Sequence, residues 1–200
     1  MTAWTAFALL CLFYGAYLLK MLSQRRQGIT TNVMIRGRKS RRAYWVGVLL
    51  ALTSYLACAV QFLSCLFREY LAALPVPRPL ALLGLVLMAV GNVLFIAAFL
   101  ALKDSWRAGI DENQKTELVT GGIYRFSRNP AFTGFDLLYL GSVLAVGNLV
   151  LAGAACAVVV MIHLQILEEE KHLRKMFGES YRAYQNTVRR YLQESIQGGI

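Results

Sequence analysis

The chain has 200 residues, 57% of them hydrophobic and only 16% charged. Soluble domains carry about 25% charged residues, so this composition excludes an ordinary soluble fold, and its apolar content excludes intrinsic disorder. Lysine and arginine outnumber the acids 21 to 11, a net charge of +10. Positive-inside loops and anionic headgroups account for that excess, with no nucleic acid needed as a partner.

The first apolar run is residues 1–22. No basic residue precedes Lys20, so it lacks the charged start of a signal peptide and is expected to remain as the first span. Residues 43–67 and 79–102 are the second and third runs, each near the ~20 residues a spanning helix needs. The stretch 131–167 is too long for one span and reads as two short ones, 131–146 and 148–167, turning at Gly147-Asn148. The expectation is therefore an all-α integral membrane protein with five transmembrane helices, a single membrane domain over residues 1–200.

Charge placement tests that count. Segments 23–42, 103–130 and 168–200 hold seven, five and six Lys/Arg, whereas 68–78 holds two and the Gly147-Asn148 turn none. Five spans put the three basic segments on one face. By the positive-inside rule that face is cytoplasmic, with the N-terminus outside and the C-terminus in the cytoplasm. The elements 103–130 and 168–191 then meet at the cytoplasmic mouth of the bundle.

Within the spans, Gln61, Asn92, Asp136 and His163 need partners, because polar groups in hydrocarbon are costly. Gly84, Gly91 and the small residues Gly153, Ala154 and Ala155 are candidates for close helix packing, within or between chains. The four cysteines, Cys11, Cys58, Cys65 and Cys156, lie in apolar runs without a CxxC pair or a nearby histidine. They read as small hydrophobes, and no metal site is expected.

Two polar strips carry the candidate chemistry. In the loop, Gly121-Gly122 allows a tight turn. Asn129 is biased away from helix by the following Pro130, which opens the next span. Between them, Tyr124, Arg125, Phe126 and Arg128 form either a cradle for a flat, anionic ligand or a juxtamembrane basic-aromatic belt. In the tail, Glu168 and Glu170 read as solvated i,i+4 partners of His172 and Arg174. Glu169 shares a helical face with Gln165, directed at the bundle mouth; these two are the candidate catalytic residues. Beyond them Phe177, Tyr181, Tyr184, Val188 and Tyr191 recur at helical spacing, as an amphipathic helix that covers the loop or anchors to the membrane surface. No GxGxxG follows a strand, and there is no HExxH, P-loop or nucleophile elbow, which excludes a Rossmann cofactor site.

Two sets of residues resemble the isoprenylcysteine carboxyl methyltransferase family, itself related to the phospholipid methyltransferases. They are Leu118-Val119-Thr120-x-Gly122-Ile123-Tyr124 with Arg128-Asn129-Pro130-x-Phe132, and Glu169-Glu170-x-x-Leu173-x-x-x-Phe177-Gly178-x-x-Tyr181-x-x-Tyr184. The resemblance covers roughly residues 103–191. It implies an integral membrane methyltransferase that uses S-adenosylmethionine without a Rossmann domain and acts on a lipid or lipid-attached acceptor, an isoprenylcysteine-like carboxylate or a phospholipid amine. By the same resemblance Glu117, Leu118, Val119, Tyr124, Arg128, Asn129, Pro130, Phe132 and Glu169 would bind the cofactor. The family's Arg-His-Pro-x-Tyr is here Arg128-Asn129-Pro130-Ala131-Phe132. Gln165 stands where eukaryotic members have an arginine assigned to substrate.

The chemistry of that cofactor matches the strips. Glu169 suits its cationic end, Arg125 or Arg128 its carboxylate, and Phe126 or Phe132 its adenine. An amine acceptor would need a base, for which Glu169, His163 and Asp136 are the candidates. Two other readings remain at this stage: an NADPH-dependent membrane reductase of the sterol type, and a non-catalytic membrane interaction protein.

Overall fold

A computed structural model describes residues 2–29, 39–68, 70, 74–106 and 117–192. The stretches 30–38 and 107–116, which hold part of the basic charge counted above, and residues 193–200 lie outside the described residues. Five helices follow in order: α1 Thr2–Arg26, α2 Arg41–Leu66, α3 Arg78–Leu102, α4 Pro130–Val146 and α5 Leu149–Thr187. No strand occurs among the described residues. Four of the helices are long and apolar enough to cross a membrane, and α4 is a shorter apolar helix of 17 residues.

Local chemistry sets the helix ends. Ser40 caps α2 by accepting a hydrogen bond from the Ala43 amide, which satisfies one of the donors orphaned at a helix start. Proline opens α4, where its missing N–H costs nothing. Gly147 closes α4 in the left-handed region at φ 67°, and Asn148 then caps α5 through the Leu151 amide at 2.7 Å. The turn read at Gly147-Asn148 is thus a glycine C-cap joined to an asparagine N-cap.

The ends alternate as a membrane bundle requires. At one end Arg68 bonds Thr2 at 3.1 Å, and the Leu74 amide donates to the Gly147 carbonyl at 2.8 Å. At the other, Gln24 at the close of α1 donates to the Trp106 carbonyl at 3.1 Å, and Arg42 pairs with Glu168 at 3.1 Å. The polar loop and the middle of α5 lie together at this second end.

Helices α3 and α4 pack with almost no space between their backbones. A Cβ on Gly84 would stand 2.6 Å from the Gly141 carbonyl oxygen, and one on Gly91 2.6 Å from that of Gly134. Both pairs are seven residues apart, so they recur on one face and let dispersion and close backbone contact replace the hydrophobic drive that lipid removes. Gly153 meets nothing within 4 Å and so packs no helix within the chain. Against this pair α1 packs Phe13, stacked on Phe95 with ring centroids 4.5 Å apart and edge-on to Phe135 at 4.7 Å.

The polar residues inside the spans are largely paired. Gln61 bonds Tyr14 and Ser142, the Asn92 amide donates to the Met88 and Leu9 carbonyls, and His163 meets the Tyr191 hydroxyl at 2.6 Å. One carboxyl oxygen of Asp136 is buried without a partner. Cys65 is buried, whereas Cys11 and Cys156 lie on the outer apolar surface.

Candidate functional site

The loop before α4 is shaped by one glycine. Gly122 adopts φ 60°, which an L side chain resists, and starts a single 3-10 turn, Gly122–Arg125. That turn buries Tyr124 and leaves Arg125 and Phe126 exposed. The Tyr184 hydroxyl donates to the Tyr124 carbonyl at 2.6 Å. Burial drives the Tyr124 phenol far above its ordinary pKa, with Tyr184 and Glu169 adding to the effect, so it is a neutral donor at any working pH.

The tail closes over this loop. Gly178 takes φ 53° and kinks α5, and Tyr181, Tyr184 and Val188 beyond it form a buried cluster against Leu118, Leu173 and Phe177. The aromatic stripe therefore covers the loop. It is not one helix through Tyr191: α5 ends at Thr187, and Tyr191 lies past it against His163.

Glu170 is the anchor of that closure. It is 1% exposed, and its carboxylate accepts from Arg128 at 2.9 Å, Arg190 at 2.9 Å and the Asn129 amide at 3.4 Å. Burial alone would raise its pKa, but the hydrogen bonds and charges of Arg190 and Arg128 outweigh it and hold the carboxyl below its ordinary value. The expectation of a solvated Glu170 paired with Arg174 is corrected here, since Arg174 reaches only the Glu170 backbone carbonyl. Glu168 likewise pairs with Arg42 instead of His172 and is mostly buried. Spacing along a helix says which residues share a face; it is silent on what the rest of the chain brings to that face.

Arg128 and Asn129 are drawn into the same network. The Arg128 guanidinium also donates to the Gln185 and Val188 carbonyls at 3.0 and 2.8 Å, and its backbone amide to Arg189 at 3.0 Å. Asn129 donates to the Arg190 carbonyl at 3.1 Å. Both polar groups of the Arg128-Asn129-Pro130 strip thus hold the tail.

Beneath the closure lies a cavity of about 440 Å³, within the usual size range of small-molecule sites. Glu117, Leu118, Val119, Tyr124, Arg128, Asn129, Phe132 and Glu169, all singled out from the sequence, line it. Pro130 is buried at the start of α4. Gln165 stands behind Glu169 and donates to its carboxylate at 2.9 Å. Asp136 and His163, the other candidate bases, are not among the lining residues.

Glu169 is half-buried in the cavity wall. Burial pushes its carboxyl up to about 7, against the lowering effects of the Gln165 hydrogen bond and the Lys39 charge. An acid so placed gains most from a cationic ligand, which would restore the charge that burial disfavours.

The cavity does not stop at the polar end. It continues between α1, α2 and α4 to Tyr14, Cys58 and Tyr139, and Leu18 and Tyr55 both line it and face the outer surface. The sequence reading passed over these α1 and α2 residues because each sits in a uniformly apolar run. The available signal was a repeated hydroxyl or thiol: Tyr14 and Tyr17 three apart, Ser54 and Cys58 four apart, each pair on one helical face.

A bundle of apolar helices around a cavity, with a polar, acid-bearing mouth where two distant chain segments close together, is the architecture of an integral membrane protein. The sequence profile described as phospholipid methyltransferase matches residues 80–180, just over half of the chain and the part that builds this mouth. The chain belongs to this family of membrane methyltransferases, in company with the isoprenylcysteine carboxyl methyltransferases. It is 28% identical over 161 residues to protein-S-isoprenylcysteine O-methyltransferase A of Arabidopsis thaliana, covering 79% of this chain and 77% of that protein. A probable protein-S-isoprenylcysteine O-methyltransferase of Oryza sativa subsp. indica is 26% identical over 191 residues, 93% of each chain. The Xenopus laevis protein-S-isoprenylcysteine O-methyltransferase is 33% identical over 113 residues, 54% of this chain and 39% of that protein.

Proposed function

We propose that the protein transfers a methyl group from S-adenosylmethionine to a lipid or lipid-attached acceptor at the cytoplasmic face of a membrane, with its N-terminus outside. The observation that carries this is the cavity itself, whose mouth offers a carboxylate and aromatic walls and whose interior is mostly apolar and reaches the outer surface between α1 and α2.

The residues present fit that cofactor. Glu169 would hold its cationic end, Leu118 and Val119 would flank it along the loop, and the Phe132 ring would pack against the adenine. Glu117 and Tyr124 complete the mouth. Bound there, the cofactor supplies an already activated methyl group on a sulfonium. The protein's part is then to align acceptor and methyl and to exclude water. Arg128, Asn129 and Pro130 contribute by holding the tail and the start of α4 in place, and Gln165 by orienting the Glu169 carboxylate. The acceptor enters sideways past Leu18 and Tyr55. An amine acceptor would need a base, and of the three candidates Glu169 is the one that lines the cavity; a carboxylate acceptor has no proton to lose.

The test is calorimetric titration of S-adenosylmethionine into the purified protein in detergent, followed by incubation with labelled methyl donor and a total lipid extract. Saturable binding, lost in Glu169→Ala, and label in one lipid class are expected. No binding to the folded wild type overturns the proposal.

A further inference from the structure

The far end of the cavity is polar where its middle is not. α4 presents Phe132, Phe135 and Tyr139 to the cavity, a spacing of three and four that keeps them on one face. The two shallower positions are phenylalanine; the deepest carries a hydroxyl. Tyr139 lies about 14 Å along the helix from Pro130 at the usual rise per residue.

The Tyr139 side chain is fully buried, and its hydroxyl makes no well-formed hydrogen bond, although Tyr14 and Ser54 lie close enough to interact with it. The polar groups near it are Tyr14 from α1, Ser54 and Cys58 from α2, and Asp136 from its own helix; the first three line the cavity. Tyr14 donates to Gln61 at 2.7 Å, Gln61 donates to Ser142 at 3.0 Å, and Ser142 donates to the Tyr139 carbonyl at 2.8 Å. That relay commits the Tyr14 hydrogen and leaves its oxygen an acceptor beside Tyr139. A plain hydrocarbon chain would be served as well by phenylalanine, with no unpaired hydroxyl to bury.

The geometry points to a specificity-determining floor: Tyr139, with Tyr14 and Ser54, receives a hydroxyl or carbonyl oxygen carried at the buried end of the acceptor's apolar chain. This rests on the reading that the cavity holds the acceptor. Sites built to hydrogen-bond a substrate oxygen reject the analogue lacking it far more strongly than apolar pockets sort by size.

Two probes of equal chain length test it, dodecane and 1,12-dodecanediol, titrated into the detergent-purified full chain and into Tyr139→Phe. The wild type is expected to prefer the diol over the alkane by about tenfold more than the variant does. Comparing the two proteins cancels any difference in partition of the probes into detergent. Without probe, Tyr139→Phe should still unfold in one cooperative thermal transition, which shows that the variant is folded. An unchanged diol-to-alkane ratio, or no binding of either probe, overturns the inference. S-adenosylmethionine titrated in parallel keeps the two readings apart: its failure alone removes the cofactor proposal and leaves the floor standing.

Discussion

Glu170 and Arg190, twenty residues apart, meet through a paired contact in which Arg190 donates to both carboxylate oxygens, at 3.1 and 2.9 Å. Arg128 and Asn129 share that carboxylate from the other side. One buried acid therefore ties the tail to the loop above the cavity.

Removing that acid should be costly. Glu170→Ala leaves Arg128 facing a buried void, and breaking a buried ion pair on one side costs about 3–5 kcal/mol. The expected result is a lowered thermal midpoint in detergent and a tail past Gln185 newly open to protease. A midpoint within error of the wild type would show that the network holds nothing together.

Tyr184→Phe isolates a gentler link in the same closure. It leaves the Tyr124 carbonyl without its partner, at a cost of about 1–3 kcal/mol for a buried acceptor. Because the loop bearing Leu118 and Val119 is loosened while Glu169 is untouched, KM for the methyl donor should rise more than kcat falls. Steady-state kinetics separate the two.

The Glu169 carboxyl sets a pH dependence whose sign is the reverse of the usual one for acids. Its pKa in the folded chain, about 7, lies above its ordinary 4.5, so the ligand-free protein holds the proton longer than the unfolded chain does. Stability from this group is present below pH 4.5 and is lost as pH rises towards 7. Affinity for a cationic ligand runs the other way, falling about tenfold per unit below pH 7 as the carboxyl protonates. Both trends should flatten in Glu169→Gln, read by thermal midpoint and by calorimetry across pH 5 to 8.

The helix pair beneath the site tolerates no side chain at its crossing points. Gly91→Ala places a methyl 2.6 Å from the Gly134 carbonyl oxygen, and such overpacking costs about 1–3 kcal/mol. Gly153→Ala, which meets nothing within 4 Å, is the matched control and should leave the midpoint unchanged or slightly raised, since alanine favours a helix over glycine. Equal effects of the two substitutions would sink the packing account.

Much of this molecule is legible before any coordinates. The apolar runs outline the helices, Pro130 and Gly147-Asn148 mark α4's ends, and the two motif strips name most of the polar lining of the cavity. The roles of Glu168 and Glu170 were illegible, because three consecutive acids look alike until it is known that Arg42 waits beside one and Arg190 beside another. Gly84 and Gly91 were visible as small residues, but whether they packed within the chain depended on Gly134 and Gly141 arriving at matching depth.

Hydropathy and charge by themselves determined an all-helical membrane chain, since a bilayer demands long apolar stretches whose backbone bonds close internally. The tertiary structure alone decided that the aromatic tail lies over the loop, that Glu170 is locked away in an ion-pair network, and that hydroxyls from three helices converge at the cavity's far end. Those outcomes rest on contacts between residues tens of positions apart, and the position of a side chain along the chain carries no information about which distant neighbour will satisfy it.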